Sequence, residues 1–213
     1  MRRRIDAAAQ RAGHSATLLA VSKTKPSTAI RDLAAKGQHA FGENYVQEAR
    51  AKQRELADLN LEWHMIGPLQ SNKCRDVAEH FAWLQSLDRA KLIDPLNTYR
   101  PDSSPPLNVL IQVNIDDEAS KSGCAPNDVA ALAERIAHAP RLALRGLMAI
   151  PQPGDLDARR KAFDRMRATF DDLRRNCSPI DTLSMGMSDD FELAIAQGAT
   201  MVRIGTALFG RRE

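Results

Sequence analysis

TLLAVSKTKPSTAI, residues 17–30, is the stretch that decides the fold. Thr17 to Ser22 form a short apolar run of the kind a buried parallel strand needs. Lys23 follows at once, Pro26 closes the run, and from Ser27 onward Ile30, Leu33 and Ala34 fall at helical spacing. The segment therefore reads as strand, turn and helix. An ammonium group at the junction of a buried strand and a turn is partly desolvated, which favours its neutral form. A neutral lysine amine is a nucleophile that condenses with aldehydes. Lys23 is thus a candidate for covalent chemistry, and the competing reading is a solvated lysine at a strand end.

Outward from this unit the pattern repeats. Further strand patterns lie at 39–44, 61–67, 82–88, 108–115, 142–150, 181–186 and 200–205, and a helical segment follows each of the first seven strands. The clearest helix runs from Lys161 to Arg175, with Phe163, Met166, Phe170 and Leu173 on one face. Val129, Leu132 and Ile136 repeat the spacing behind Pro126, with Asn127 expected as N-cap. A helix over 189–197 is expected to start at a Ser188 N-cap and to end at a left-handed Gly198. Eight strands alternating with helices argue for parallel pairing through right-handed crossovers. That count favours a closed (β/α)8 TIM barrel over an open doubly wound sheet, both being α/β folds. PDSSPP (101–106) is the only loop-rich cluster, so residues 1–213 read as a single domain.

Composition narrows the function. With 30 basic and 27 acidic residues the net charge is +3, too small and dispersed an excess for nucleic acid, and 5% aromatic residues offer little for base stacking. No apolar stretch approaches the roughly 18 residues of a membrane span. The basic N-terminus lacks the apolar centre of a secretory signal. Cys74, Cys124 and Cys177 are odd in number and widely spaced, and the five histidines show no ligand spacing, so neither a disulfide framework nor a metal is expected. The chain reads as cytoplasmic. It also reads as a monomer, since no long apolar surface stripe is left once the core helices are assigned.

In parallel α/β folds, ligands bind at the carboxyl ends of the strands. Lys23, Lys25, Asn44, His64, Asn114, Met148, Ser188, Arg203, Gly205 and Thr206 lie at or near those ends. SMGMSDD (184–190) and RIGTALFG (203–210) supply glycine turns and hydroxyls after strands seven and eight, where such barrels recurrently hold phosphate. Plain N-cap and turn roles compete with that reading for Ser188 and for Gly205-Thr206. In an extended strand Lys25 shares a face with Lys23, so both lysines are expected at the ligand. His64 reads as a hydrogen-bonded barrel histidine, Glu43 as an ordinary helix-start carboxylate, and Lys121 as a solvated or anion-binding loop lysine.

AVSKTKP, FGENYVQE, WHMIGPLQSNK, NVLIQVNI with SKSG, RGLMAIP, LSMGMSDDFELAIAQG and TMVRIGTALFG occur in this order from about Thr17 onward. In these segments the chain closely resembles the pyridoxal-phosphate homeostasis (PLP-binding) protein family, which shares its barrel with the N-terminal domain of alanine racemase. The resemblance implies a fold-type-III barrel that carries pyridoxal 5'-phosphate as an internal aldimine (Schiff base) on Lys23, with Lys25 nearby. It further implies that Ser188, Gly205 and Thr206 bind the phosphate, that Asn44 lies beside the ring, and that Arg203 faces the pyridine nitrogen. It assigns no secure role to His64 or Met148.

Arginine offers only hydrogen-bond donors and cannot take the proton that a carbanion-stabilising PLP enzyme keeps on that nitrogen. The racemases add a tyrosine with a C-terminal β domain, and this chain has only Tyr45 and Tyr99 and no residues left for such a domain. The expected function is therefore vitamin B6 homeostasis: a carrier or buffer of PLP that delivers it to PLP-dependent apo-enzymes, with no residue assigned a catalytic role. The alternative is a weak amino-acid racemase.

Overall fold

Each of the eight apolar runs forms a strand in the computed structural model, which describes residues 1–116, 122–152 and 154–210. In chain order the elements are α1 (Arg2–Ala12), β1 (Thr17–Val21), α2 (Ser27–Ala34), β2 (Ala40–Glu43), α3 (Val46–Glu55), β3 (Glu62–Met65), α4 (Cys74–His80), β4 (Trp83–Leu87), α5 (Ile93–Tyr99), β5 (Leu107–Gln112), α6 (Val129–Ala137), β6 (Leu142–Met148), α7 (Leu156–Asn176), β7 (Thr182–Ser184), α8 (Phe191–Ala196), β8 (Met201–Ile204) and α9 (Thr206–Phe209). All neighbouring strands pair in parallel, and β8 returns to β1 with Leu19 opposite Arg203, so the sheet is a closed barrel. Closure leaves no sheet edge to protect.

Strand alternation sorts the side chains. Phe41, Met65, Leu84, Val109, Ile111, Leu147, Leu183 and Val202 belong to the main hydrophobic core, together with Ile30, Val77, Ile136, Phe163 and Phe170 from the surrounding helices. Inside the barrel the apolar residues fall into two small clusters, Leu19 with Ile66 and Met201, and Trp83 with Leu110 and Met148. Polar residues separate them, unlike the branched aliphatic layers usual in such barrels.

Helix starts differ from the sequence reading at three places. The long helix begins five residues before the Lys161 expected from its periodicity, because the Asp155 carboxylate accepts the Ala158 N–H and caps it. Asn127 is not an N-cap: Pro126–Asp128 already form a 3₁₀ turn that runs into α6. Ser188 is not one either, since residues 188–190 are a turn and α8 starts at Phe191. Gly198 does adopt the left-handed conformation, at φ 96°.

Gly146 pairs with Thr182 between β6 and β7, near a register shift between β5 and β6. Its φ is +148°, and a Cβ there would run into the Thr182 carbonyl oxygen. Gly146→Ala should therefore destabilise the fold by about 2–4 kcal/mol in urea unfolding. A loss below about 0.5 kcal/mol would mean that β6 shifts freely at this point.

Candidate functional site

The carboxyl ends of the strands surround a cavity of about 550 Å³. Lys23 after β1, Asn44 after β2, Ser188 after β7, and Arg203, Gly205 and Thr206 at the end of β8 all line it. The volume lies within the range of small-molecule and cofactor sites. Ile66, Gln112 and Ile150, which the sequence did not single out, also line it, as does Met187 of the SMGMSDD segment. Gln112 donates to the Ser122 carbonyl at 3.0 Å, which ties β5 to its following loop. His64 and Met148 do not reach the cavity but lie buried inside the barrel. Lys121 falls outside the described residues.

Lys25 is a correction to the alternation argument. β1 ends at Val21, the Lys25 N–H donates to the Ser22 carbonyl at 3.0 Å, and Thr24 sits at φ 64°. A turn therefore replaces the extended geometry that would align the two lysines. Lys25 is not among the cavity residues, and its Nζ donates to the Phe209 carbonyl of α9 at 3.3 Å. A β-branched residue in the left-handed region costs about 1–3 kcal/mol and persists only where its surroundings hold it. Here the Glu48 carboxylate accepts the Thr24 N–H at 2.5 Å.

Arg203 is only 4% exposed. Its Nη1 donates to the Ser184 carbonyl and hydroxyl oxygens, both at 2.8 Å, and its Nη2 donates to the Ala149 carbonyl at 2.8 Å. Burial pushes the guanidinium down to about 10, so it stays charged at neutral pH. Because arginine can only donate, it sets the direction of a chain that crosses the barrel. The Ser184 hydroxyl, accepting from Arg203, donates to Gln85 Oε1 at 2.7 Å. Gln85 Nε2 donates to His64 Nδ1 at 2.9 Å, and His64 Nε2–H donates to Glu62 at 2.8 Å. The His64 ring also stacks on Trp83, with centroids 5.2 Å apart. His64 is thus the barrel histidine read from the sequence, and its partners Gln85 and Ser184 carried no local signal of that role.

The loops after β7 and β8 are pinned by glycine geometry and a paired aspartate. Gly186 has φ +92°, and a Cβ there would run into Ala194. The Asp190 carboxylate accepts the Met187 N–H at 2.7 Å and lies 3.7 Å from Arg159. Asp189 remains among the lining residues. Gly205 packs against the Val21 backbone, and its carbonyl accepts the Leu208 and Phe209 N–H groups of α9, so the Thr206 and Ala207 N–H groups precede the first intrahelical bond. The side chains of Asn44, Ser188 and Thr206 make no hydrogen bond among the described residues. The cavity thus joins one amine, one buried guanidinium, hydroxyls and backbone N–H groups, a donor set for a small anion that also carries an electrophile.

The alanine racemase N-terminal domain family model matches residues 1–213. The pyridoxal phosphate homeostasis protein of Pseudomonas aeruginosa is 58% identical over 214 residues, covering 99% of this chain and 92% of the relative. The chain belongs to the pyridoxal phosphate homeostasis protein family. The family member of Escherichia coli K12 is 54% identical over 220 residues, covering 100% and 94%. Among solved structures, PipY of Synechococcus elongatus with PLP bound matches with a TM-score of 0.84 at 39% identity, covering 95% of this chain and all of that one. Alanine racemase of Corynebacterium glutamicum shares the fold, with a TM-score of 0.70 at 19% identity, over 98% of this chain and 62% of its own. The comparisons agree with the barrel found here and with its resemblance to the racemase domain.

The polar chain makes stability depend on pH. Burial lowers the His64 pKa below its ordinary 6.5, so below that value the unfolded chain binds a proton that the folded one does not. Its stabilising contribution is complete above pH 6.5 and is lost as pH falls through the folded value. His64→Gln should flatten the acid side of the stability curve by up to about 1.4 kcal/mol per pH unit. Urea unfolding between pH 7 and 5 reads this, and identical slopes in the two proteins would contradict the buried neutral assignment.

Proposed function

We propose that this protein binds pyridoxal 5'-phosphate at the mouth of the barrel and serves its homeostasis, as a carrier or buffer rather than a dedicated enzyme. The donor set fits the cofactor. Lys23 is a primary amine within the cavity, where a captured aldehyde would sit. Ser188, Gly205 and Thr206, on the loops after β7 and β8, would hold the phosphate. Asn44 would lie beside the ring. Arg203, fixed by three hydrogen bonds, would meet the ring nitrogen with a donor.

Lys25, placed at the Phe209 carbonyl, would act on retention through α9 rather than as a direct ligand. When bound, pyridoxal phosphate supplies an electrophilic aldehyde carbon and an electron-withdrawing ring. This chain's residues then bind, orient and anchor it. A charged guanidinium at the nitrogen would favour the weaker, unprotonated electron-withdrawing form of the ring.

The observation that carries the carrier reading is the buried, donor-only Arg203. Racemisation uses acid and base groups on both faces of a substrate carbon, and Asp189 is the one carboxylate among the described residues that line the cavity with Lys23. In this reading residues 1–213 act as one domain, as a monomer in the cytoplasm, and pass PLP to apo-enzymes. Ile150 and Met187 are exposed apolar residues at the mouth, where a recipient would approach.

Titration of purified protein with PLP should give a visible absorbance band that Lys23→Ala lacks, with PLP retention on gel filtration weakened at least about tenfold. Deuterium exchange at the α carbon of alanine should not exceed that with free PLP. Equal spectra in the two proteins would refute the Lys23 site. Rapid exchange that needs Lys23 would favour the weak racemase.

A further inference from the structure

Lys52 lies on α3 in a run of charged residues, VQEARAKQRE, yet it is only 6% exposed. Its Nζ donates to Glu43 and to Glu48, both at 2.7 Å, and to the Ser22 carbonyl at 2.8 Å. Glu43 is fully buried and also accepts the Ser22 hydroxyl at 2.6 Å. Burial pushes the Glu43 carboxyl above the usual carboxylate range, against the pull of the Lys52 and Ser22 hydrogen bonds. A buried ion cluster of this kind is a poor source of net stability; Glu43 Oε1 takes both the Lys52 and Ser22 bonds while Oε2 has no partner among the described residues, so the cluster fixes only the groups it bonds.

The geometry it specifies is the backbone on both sides of Lys23. The Ser22 carbonyl receives Lys52 Nζ and the Lys25 N–H together. The Thr24 N–H is received by the same Glu48 oxygen that pairs with Lys52. One ammonium thus closes the turn from its first carbonyl to its strained residue. Without that grip, Thr24 relaxes toward extended geometry, and residues two apart then share a face.

We infer that the Lys52–Glu43–Glu48 cluster selects Lys23 over Lys25 as the amine presented to the cavity. Lys52 is a positioning residue, acting through the Ser22–Lys25 turn. The inference rests on the proposed pyridoxal phosphate site, and its test separates the two. Added PLP is reduced onto the protein with borohydride: the lysine nitrogen bonds the aldehyde carbon, water leaves, and hydride completes a stable secondary amine. Peptide mapping then gives the ratio of label on Lys23 to label on Lys25.

Wild type should carry label on Lys23. In Lys52→Met the ratio should fall about tenfold, and Glu48→Ala, which keeps the buried Lys52–Glu43 pair, should shift it the same way by less. Amide exchange at Thr24 and Lys25 reads the clamp without cofactor and should quicken about tenfold or more in both variants. Circular dichroism identifies variants that remain folded, and Glu48→Ala decides if Lys52→Met does not fold. A folded variant with wild-type labelling ratio and exchange would overturn the inference. Quickened exchange with an unchanged labelling ratio would overturn the selection of Lys23 while confirming the clamp. No label on wild type, with exchange still quickened in the variants, would refute the cofactor site and leave the clamp supported.

Discussion

A guanidinium buried inside a barrel has to be satisfied by whatever the strands bring to it, and among the described residues Arg203 donates to neutral oxygens. Two main-chain carbonyls and one hydroxyl take its protons. Leaving such a charge short of acceptors costs several kcal/mol, so the neighbouring residues are constrained in turn. Ser184 must offer a lone pair and then spend its proton on Gln85; Gln85 must present its amide nitrogen to His64; His64 must carry its proton toward Glu62. Each donor points the same way, from the cavity at one end of the barrel to a carboxylate toward the other. The polar interior of this barrel follows from one cation that can only donate.

The same constraint bears on function. The residue that meets a cofactor's ring nitrogen decides how strongly the ring withdraws electrons, and a carboxylate and a guanidinium push in opposite directions. Alanine racemases share this fold, but likeness at 19% identity speaks for the barrel alone. The chemistry has to be argued from the residues at the mouth, which combine a primary amine with a buried guanidinium that can only donate.

Much of the fold was legible in the sequence because buried parallel strands are continuous apolar runs and each is followed by helical spacing. Of the site, the residues at strand ends were legible for a related reason: once the strands are placed, topology puts their carboxyl ends together. Lys25 was misplaced because two-residue alternation was carried past the end of β1, through a turn that contains a left-handed threonine. Nothing in the residue type signals that conformation; a carboxylate on the next helix but one imposes it. Lys52 and Glu43 were missed for the converse reason. A lysine in a charged helix reads as solvated and a glutamate beside a helix start as ordinary, and only the packing of α3 on β2 reveals a buried pair. Ser184 was legible as a strand-end residue, but its bond to Gln85, and Gln85 itself, were not, because the partners lie on strands far apart in sequence.

A crystal structure of the protein grown with pyridoxal 5'-phosphate tests the central claim most directly. Continuous density from Lys23 Nζ to the ligand, a phosphate group between the Ser188 and Gly205-Thr206 loops, and Arg203 still bonded to Ser184 while facing the ring nitrogen are the predicted result. Density joined to a different lysine, or a ring nitrogen met by a carboxylate with Arg203 swung away, would contradict it.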